Sequence, residues 1–285
     1  MMNQFKTTIL AASITSLTSL YLHASQEISV EKKFKISQVN NLDLENSSGD
    51  ITIKTDDKEA KVKVEKIEWD NEACSLEIGE KEGILSVKAK NKSSKFSFLS
   101  FFSRKKVECQ TKIIVSLPLE TDLKVLGGSG KISITGIHGS YDVQVGSGDI
   151  EIKEAKGSQL EAKTGSGNLQ VSGAFAGANL KTGSGHITLN NQTAPLKIFS
   201  LITGSGNINY TNETALTSGK TIIKTGTGNT EINLAETSEF KVHFVSGVGK
   251  ASSEFAKQQE KKHKISVTTG VGNLKIKKIK TEATK

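Results

Sequence analysis

Apolar and polar residues alternate with a period of two through most of the chain, the pattern of strands with one buried face. Upstream it runs through Ile51/Ile53, Val62/Val64, Leu76/Ile78, Leu85/Val87, Ile113/Val115/Leu117 and Leu123/Val125. Downstream it returns in Ile150/Ile152, Leu169/Val171, Ile187/Leu189 and Leu274/Ile276. Helical periodicity is missing. The pattern predicts an all-β chain.

From residue 128 onward a repeat punctuates the strands. A Gly-x-Gly unit recurs as Gly128/Gly130, Gly146/Gly148, Gly165/Gly167, Gly183/Gly185, Gly204/Gly206, Gly226/Gly228, Gly247/Gly249 and Gly270/Gly272. The units start 18, 19, 18, 21, 22, 21 and 23 residues apart. A strand ends before each unit, as in Leu160/Ala162/Thr164, another begins after it, and a polar return such as Asn190-Asn191-Gln192 closes the period. One period is therefore one coil of a β-solenoid of about 18–23 residues, with Gly-x-Gly at its corner. A sharp corner needs positive φ, which glycine supplies without steric cost. Corners stacked at about 4.8 Å leave no room for a bulky Cβ, so glycine columns are expected, with the eight corners spanning on the order of 35 Å.

Two further columns follow from the register. Val145, Thr164, Thr182, Thr203, Thr225, Ser246 and Thr269 precede the corners, and their hydroxyls can bond either a like neighbour one coil away or the turn backbone. Lys131, Asp149, Asn168, His186, Asn207, Asn229, Lys250 and Asn273 follow the corners and read as a stacked polar ladder rather than a ligand row. A dinucleotide loop is excluded because no helix pattern follows any copy and the third glycine is absent. A calcium β-roll is disfavoured too: its repeat is nine residues long, and Asp149 is the one acidic residue in the column.

Residues 25–126 keep the alternation without the short period and form an N-terminal β-rich part with a loop excursion at about 93–106. The regular solenoid covers 127–276, and 277–285 is a basic tail. Ser47-Ser48-Gly49-Asp50-Ile51 looks like an isolated first corner, which favours one continuous domain over two. Gly49-Asp50-Ile51-Thr52-Ile53, Val115-Ser116-Leu117-Pro118-Leu119 and the serial Gly-Ser-Gly-Asp/Asn copies together resemble the DUF4097 family, described as candidate adhesins. The resemblance covers nearly all the mature chain. It implies a right-handed β-helix-like solenoid on exported or envelope proteins and brings no catalytic residues. Gly226-Thr227-Gly228, Gly247-Val248-Gly249 and Gly270-Val271-Gly272 depart from it at the middle position.

Composition places the product. Residues 1–24, with Lys6, an apolar Thr7 to Leu22 and Ala24 before a polar run, read as a cleaved signal peptide, too short and hydroxyl-rich to span a membrane. No later segment resembles a membrane span. The mature chain is expected to be extracytoplasmic: secreted, periplasmic or at the cell surface. Cys74 and Cys109 both point to the face of their apolar neighbours and could bridge in an oxidising compartment, two buried free thiols being the alternative. The net charge of +8 is almost wholly lysine, since Arg104 is the one arginine. Nucleic acid is therefore not an expected partner, because its grooves and phosphates favour arginine forks. Weak contact with anionic envelope components is the remaining charge-driven reading, centred on Lys275, Lys277, Lys278 and Lys280 and on the cluster up to Lys264.

One segment breaks the polar-loop rule. Phe96, Phe98, Leu99, Phe101 and Phe102 lie beside Arg104 between the two cysteines, forming either a cation-rimmed contact loop or an end cap. Otherwise chemistry is sparse. His138, His186, His243 and His263 have no metal-ligand spacing and read as solvated strand or turn residues, and no cofactor or metal motif occurs. Asp142, Asp149 and Glu151 with His138 or His186 are what an enzyme acting on polysaccharide would need to gather on successive coils. The expectation is an exported, non-enzymatic solenoid that binds a surface, a glycan or a protein. The alternatives are that enzyme or a purely structural envelope protein.

Overall fold

The computed structural model describes residues 28–92, 109–193, 198–256 and 261–279. The first strands are β1 (Ile28–Phe34), β2 (Asn41–Asn46), β3 (Ile51–Thr55), β4 (Ala60–Glu68), β5 (Cys74–Lys81), β6 (Ile84–Asn91) and β7 (Gln110–Leu117). The middle of the chain forms β8 (Asp122–Ser129), β9 (Ile132–Thr135), β10 (Tyr141–Ser147), β11 (Ile150–Gly157), β12 (Leu160–Ser166), β13 (Leu169–Phe175), β14 (Ala178–Ser184) and β15 (Ile187–Asn191). The last are β16 (Ile198–Ser205), β17 (Ile208–Asn212), β18 (Gly219–Thr227), β19 (Thr230–Ala235), β20 (Phe240–Val248), β21 (Ala251–Ser253), β22 (His263–Val271) and β23 (Leu274–Ile279). The chain is a β-solenoid built from two sheets.

Each coil gives one strand to each sheet. In the coil of β10 and β11, the chain runs up sheet B, turns at Gly146–Asp149 and runs along sheet A. Sheet A has the order β1-β4-β7-β3-β9-β11-β13-β15-β17-β19-β23-β21, and sheet B the order β20-β22-β18-β16-β14-β12-β10-β8-β2-β6-β5. Register is constant across coils, pairing Val145 with Thr164, Thr164 with Thr182 and Thr182 with Thr203. Constant register turns the period-two alternation into columns: inward positions such as Val143, Ala162, Leu180 and Leu201 pack into one core from Val39 to Ile276. Tyr141 meets Phe175, and Phe199 meets Tyr210, edge to face with ring centres 5.8 Å apart. Gly49 stacks under Gly130, so the isolated copy is indeed the first corner.

Coil order departs from chain order at both ends. The coil of β6 and β7 lies outside that of β2 and β3, and β1, β4 and β5 close this end with antiparallel pairs. At the other end β22 and β23 enter between the coil of β18 and β19 and the earlier-made β20 and β21. The glycine column therefore runs Gly228, Gly272, Gly249. The terminal strand β23 reaches Ile279, so Lys277 and Lys278 belong to sheet A rather than to a tail. There Lys277 binds Glu231 (2.7 Å) and Lys278 reaches Glu236 (3.5 Å), which removes them as a free basic cluster.

Candidate functional site

Corner side chains are consumed by the stack. Where the residue after the second glycine carries an acceptor it takes a backbone N–H from the next coil, while Lys131 interrupts the series: Asp50 accepts from Lys131 (2.8 Å), Asp149 from Asn168 (2.7 Å), Asn168 from His186 (2.9 Å) and His186 Nδ1 from Asn207 (3.0 Å). The ladder continues from Asn207 to Asn229 (2.8 Å), from Asn229 to Asn273 (2.9 Å) and from Asn273 to Lys250 (2.9 Å). Lys250 has no acceptor to pass on, and it sits on the outermost coil. In the column before the corners, the hydroxyls of Thr164, Thr182, Thr203 and Thr225 donate to the carbonyls of Gly148, Gly167, Gly185 and Gly206, at 2.9–3.1 Å. Of the two partners open to them, these threonines use the turn backbone.

The remaining candidates are dispersed. Asp142 faces out of sheet B beside Gln144, and Asp149 is in the ladder. Glu151 lies on the outside of sheet A, where hydrogen bonds from Lys131 and Lys153 hold its carboxyl below the usual carboxylate range. His138 pairs with Glu120 at 3.2 Å on the return loops. The structure does not bring these groups together, and among the described residues no cluster of three or more His, Cys, Asp or Glu is placed to hold a metal. His263 differs from its expected solvated position: it is fully buried, with Nδ1 donating to the Ser218 carbonyl (2.8 Å) and Nε2 3.0 Å from the Thr221 hydroxyl. Burial pushes its pKa down. Cys74 and Cys109 are joined in a buried disulfide with Cα atoms 5.7 Å apart, tying β5 of sheet B to the residue before β7 of sheet A. Phe96, Phe98, Leu99, Phe101, Phe102 and Arg104 lie outside the described residues, as do residues 1–24.

The outer face of sheet B is the part that the stack leaves unused. Near the N-terminal coils its charges are paired, with Lys88 at 3.6 Å from Asp43, Lys90 on Glu45 and Lys163 on Glu161. Its last five strands are β14, β16, β18, β22 and β20 in spatial order; β14 carries Lys181, β18 Lys220 and Lys224, β22 Lys264 and β20 Lys241, all exposed, β16 carries no lysine, and none of the five carries a carboxylate. Register sets Lys220, Lys264 and Lys241 directly side by side on β18, β22 and β20. A second row holds Lys181, Ile202, Lys224, Thr268 and Val245. Between the two rows runs a third: Asn179, Ser200, Ile222, Ser266 and His243. Beside the Lys181 row, the side-chain-free glycine column opens a shallow trough of ≈ 630 Å³ along Gly146, Gly165 and Gly183, walled by Gln144, Lys163, Lys181 and Ile202.

The Toastrack DUF4097 family model matches residues 39–283. The chain belongs to that family. Two solved structures share the fold. One is a candidate adhesin from Bacteroides fragilis, 13% identical over 87% of this chain and 97% of that one, with a TM-score of 0.50. The other is a candidate lipid-binding protein from Parabacteroides distasonis, 15% identical over 87% of this chain and 97% of that one, also with a TM-score of 0.50. No curated protein matches the chain. At these identities the likeness is one of fold.

In this Toastrack domain the lysine face leaves no linear charge run in the sequence. Its cations are up to 83 residues apart in the chain (264 − 181) and meet only through coil stacking. The usable signal was parity: in each of these strands the lysines occupy the positions that alternate with the buried ones.

Proposed function

We propose that this Toastrack domain is a non-enzymatic, extracytoplasmic binding module of the cell envelope. It acts in the manner of an adhesin, holding an anionic envelope component against the outer face of sheet B. The observation that carries this reading is the set of five exposed lysines within five adjacent strands, on four of them, with no carboxylate on any of the five. Like charges set directly opposite on neighbouring strands cost stability, and a ligand of opposite charge offsets that cost. Export is supported by the apolar stretch at 1–24 and by the disulfide, since such bonds persist in oxidising compartments. The names carried by the two fold relatives, adhesin and lipid-binding protein, agree with a surface-binding role.

The test is retention of the full chain on isolated cell-envelope fragments across a salt series. Retention that falls steeply with salt is expected, because exposed charges are screened beyond about 8 Å at physiological ionic strength. Absence of retention, or retention indifferent to salt, contradicts the reading and returns the domain to a structural role.

A further inference from the structure

We infer that the occupant of the lysine face is a linear polysaccharide bearing carboxylate or sulfate groups, lying across the strands along the stacking axis. This deepens the proposed envelope-binding role and rests on it. Three features of the face point to such a chain. First, the lysines form two parallel rows, Lys220/Lys264/Lys241 and Lys181/Lys224, four residues apart along the strands, about 13 Å, with one outward row between them. A ligand lying along the row between them meets cations from one flank or the other on four of the five strands and from both flanks on β18. Second, the row between is made mainly of hydrogen-bonding groups, the Asn179 amide, the Ser200 and Ser266 hydroxyls and the His243 imidazole. Those groups suit sugar hydroxyls. Third, the register repeats at the strand spacing of about 4.8 Å, close to the length of one pyranose unit, so successive sugars of a chain along the stacking axis lie over register-matched positions on successive coils.

Other polyanions fit less well. The face carries no arginine and no Phe, Tyr or Trp, and His243 is its one ring, so it offers neither the forks nor the row of stacking platforms that nucleic acid uses. A membrane surface calls for a strongly apolar face with Trp, Phe or Leu to enter the acyl boundary. Here the apolar members Ile198, Ile202, Ile222 and Val245 are scattered among lysines and hydroxyls.

The stacked lysines also give the proposal a signature that a merely structural face lacks. If Lys220, Lys264 and Lys241 are retained for a ligand at a cost to the fold, neutralising them must raise stability while it lowers binding. The test compares the full chain with the triple variant Lys220→Gln/Lys264→Gln/Lys241→Gln and with a charge-matched control on other surfaces, Lys54→Gln/Lys156→Gln/Lys275→Gln. Binding is measured to polygalacturonate, to sulfated dextran, to neutral dextran and to phosphatidylglycerol vesicles. The expected result is salt-dependent binding of at least one anionic glycan and none of neutral dextran. The face variant should lose about tenfold or more in affinity, with a raised melting temperature, and the control should stay within about threefold of wild type. Equal losses in both variants, an unchanged face variant, or binding to vesicles but to neither anionic glycan would overturn the proposal. Envelope retention without glycan binding removes the polysaccharide and leaves the envelope role standing. Loss of both removes both.

Discussion

Gly185 occupies φ +146°, and a Cβ built there collides with the carbonyl oxygen of Gly167 one coil away. Alanine at this position has to adopt disfavoured backbone and also push two coils apart. Gly185→Ala is therefore expected to cost about 2–4 kcal/mol in urea unfolding, while Ser184→Ala, at the exposed middle position of the same corner, changes stability by no more than about 0.5 kcal/mol. This demand was legible in the sequence because the glycines are periodic. His263 was not, because a lone histidine in an alternating strand looks the same whether or not its partners arrive from Ser218 and Thr221, 45 and 42 residues away. Burial holds its folded pKa below the ordinary value of 6.5. The unfolded chain thus binds more protons between the folded value and 6.5, so the stability tied to the neutral ring is complete above that window and is lost as pH falls through it. His263→Gln should lose less stability than wild type between about pH 7.5 and about pH 5.5. Parallel losses in the two proteins would show that the buried imidazole stays neutral without cost.

Strands and corners were readable as elements because alternation and Gly-x-Gly are local signals. Their order at the ends was not, since nothing local says which coil is outermost. One contribution at the C-terminal end is the acceptor ladder: Asn273 offers a side-chain acceptor to the N–H of Lys250, which holds the outermost coil against the coil of β22 and β23. Asn273→Ala should cost about 1 kcal/mol and raise amide exchange first in β20 and β21, before the central coils. Uniform exchange across all coils would contradict this placement. At the opposite end the Cys74–Cys109 bond closes a loop with a sequence separation of 35. Chain entropy makes such a closure worth roughly 2–4 kcal/mol, so Cys74→Ser/Cys109→Ser should unfold at lower urea by that margin. Unchanged stability would mean that the antiparallel cap holds without its staple.

For the whole molecule, one rule of constant register between two sheets turns a sequence of short strands into faces with long-range chemistry. The paired charges of the N-terminal coils and the carboxylate-free lysines of the C-terminal coils sit on the same sheet, and only the stacking order separates them. The Lys275–Lys280 run is a linear basic cluster in the sequence, yet Lys277 and Lys278 are matched by Glu231 and Glu236 from the neighbouring coil. The lysine face exists because β18, β22 and β20 are neighbours in one register, and their order places Lys264 between Lys220 and Lys241. Cysteine pairs at the exposed corner positions test that order directly. Thr227 and Val271 are register partners on adjacent strands, whereas Thr227 and Val248 are separated by a whole coil. Two coil spacings of about 4.8 Å exceed the reach of a disulfide, whose Cα atoms lie within about 7 Å. Mild oxidation should therefore bridge Thr227→Cys/Val271→Cys and leave Thr227→Cys/Val248→Cys reduced; bridging in the second pair and not the first would show that the coils stack in chain order and that Lys264 does not lie between Lys220 and Lys241.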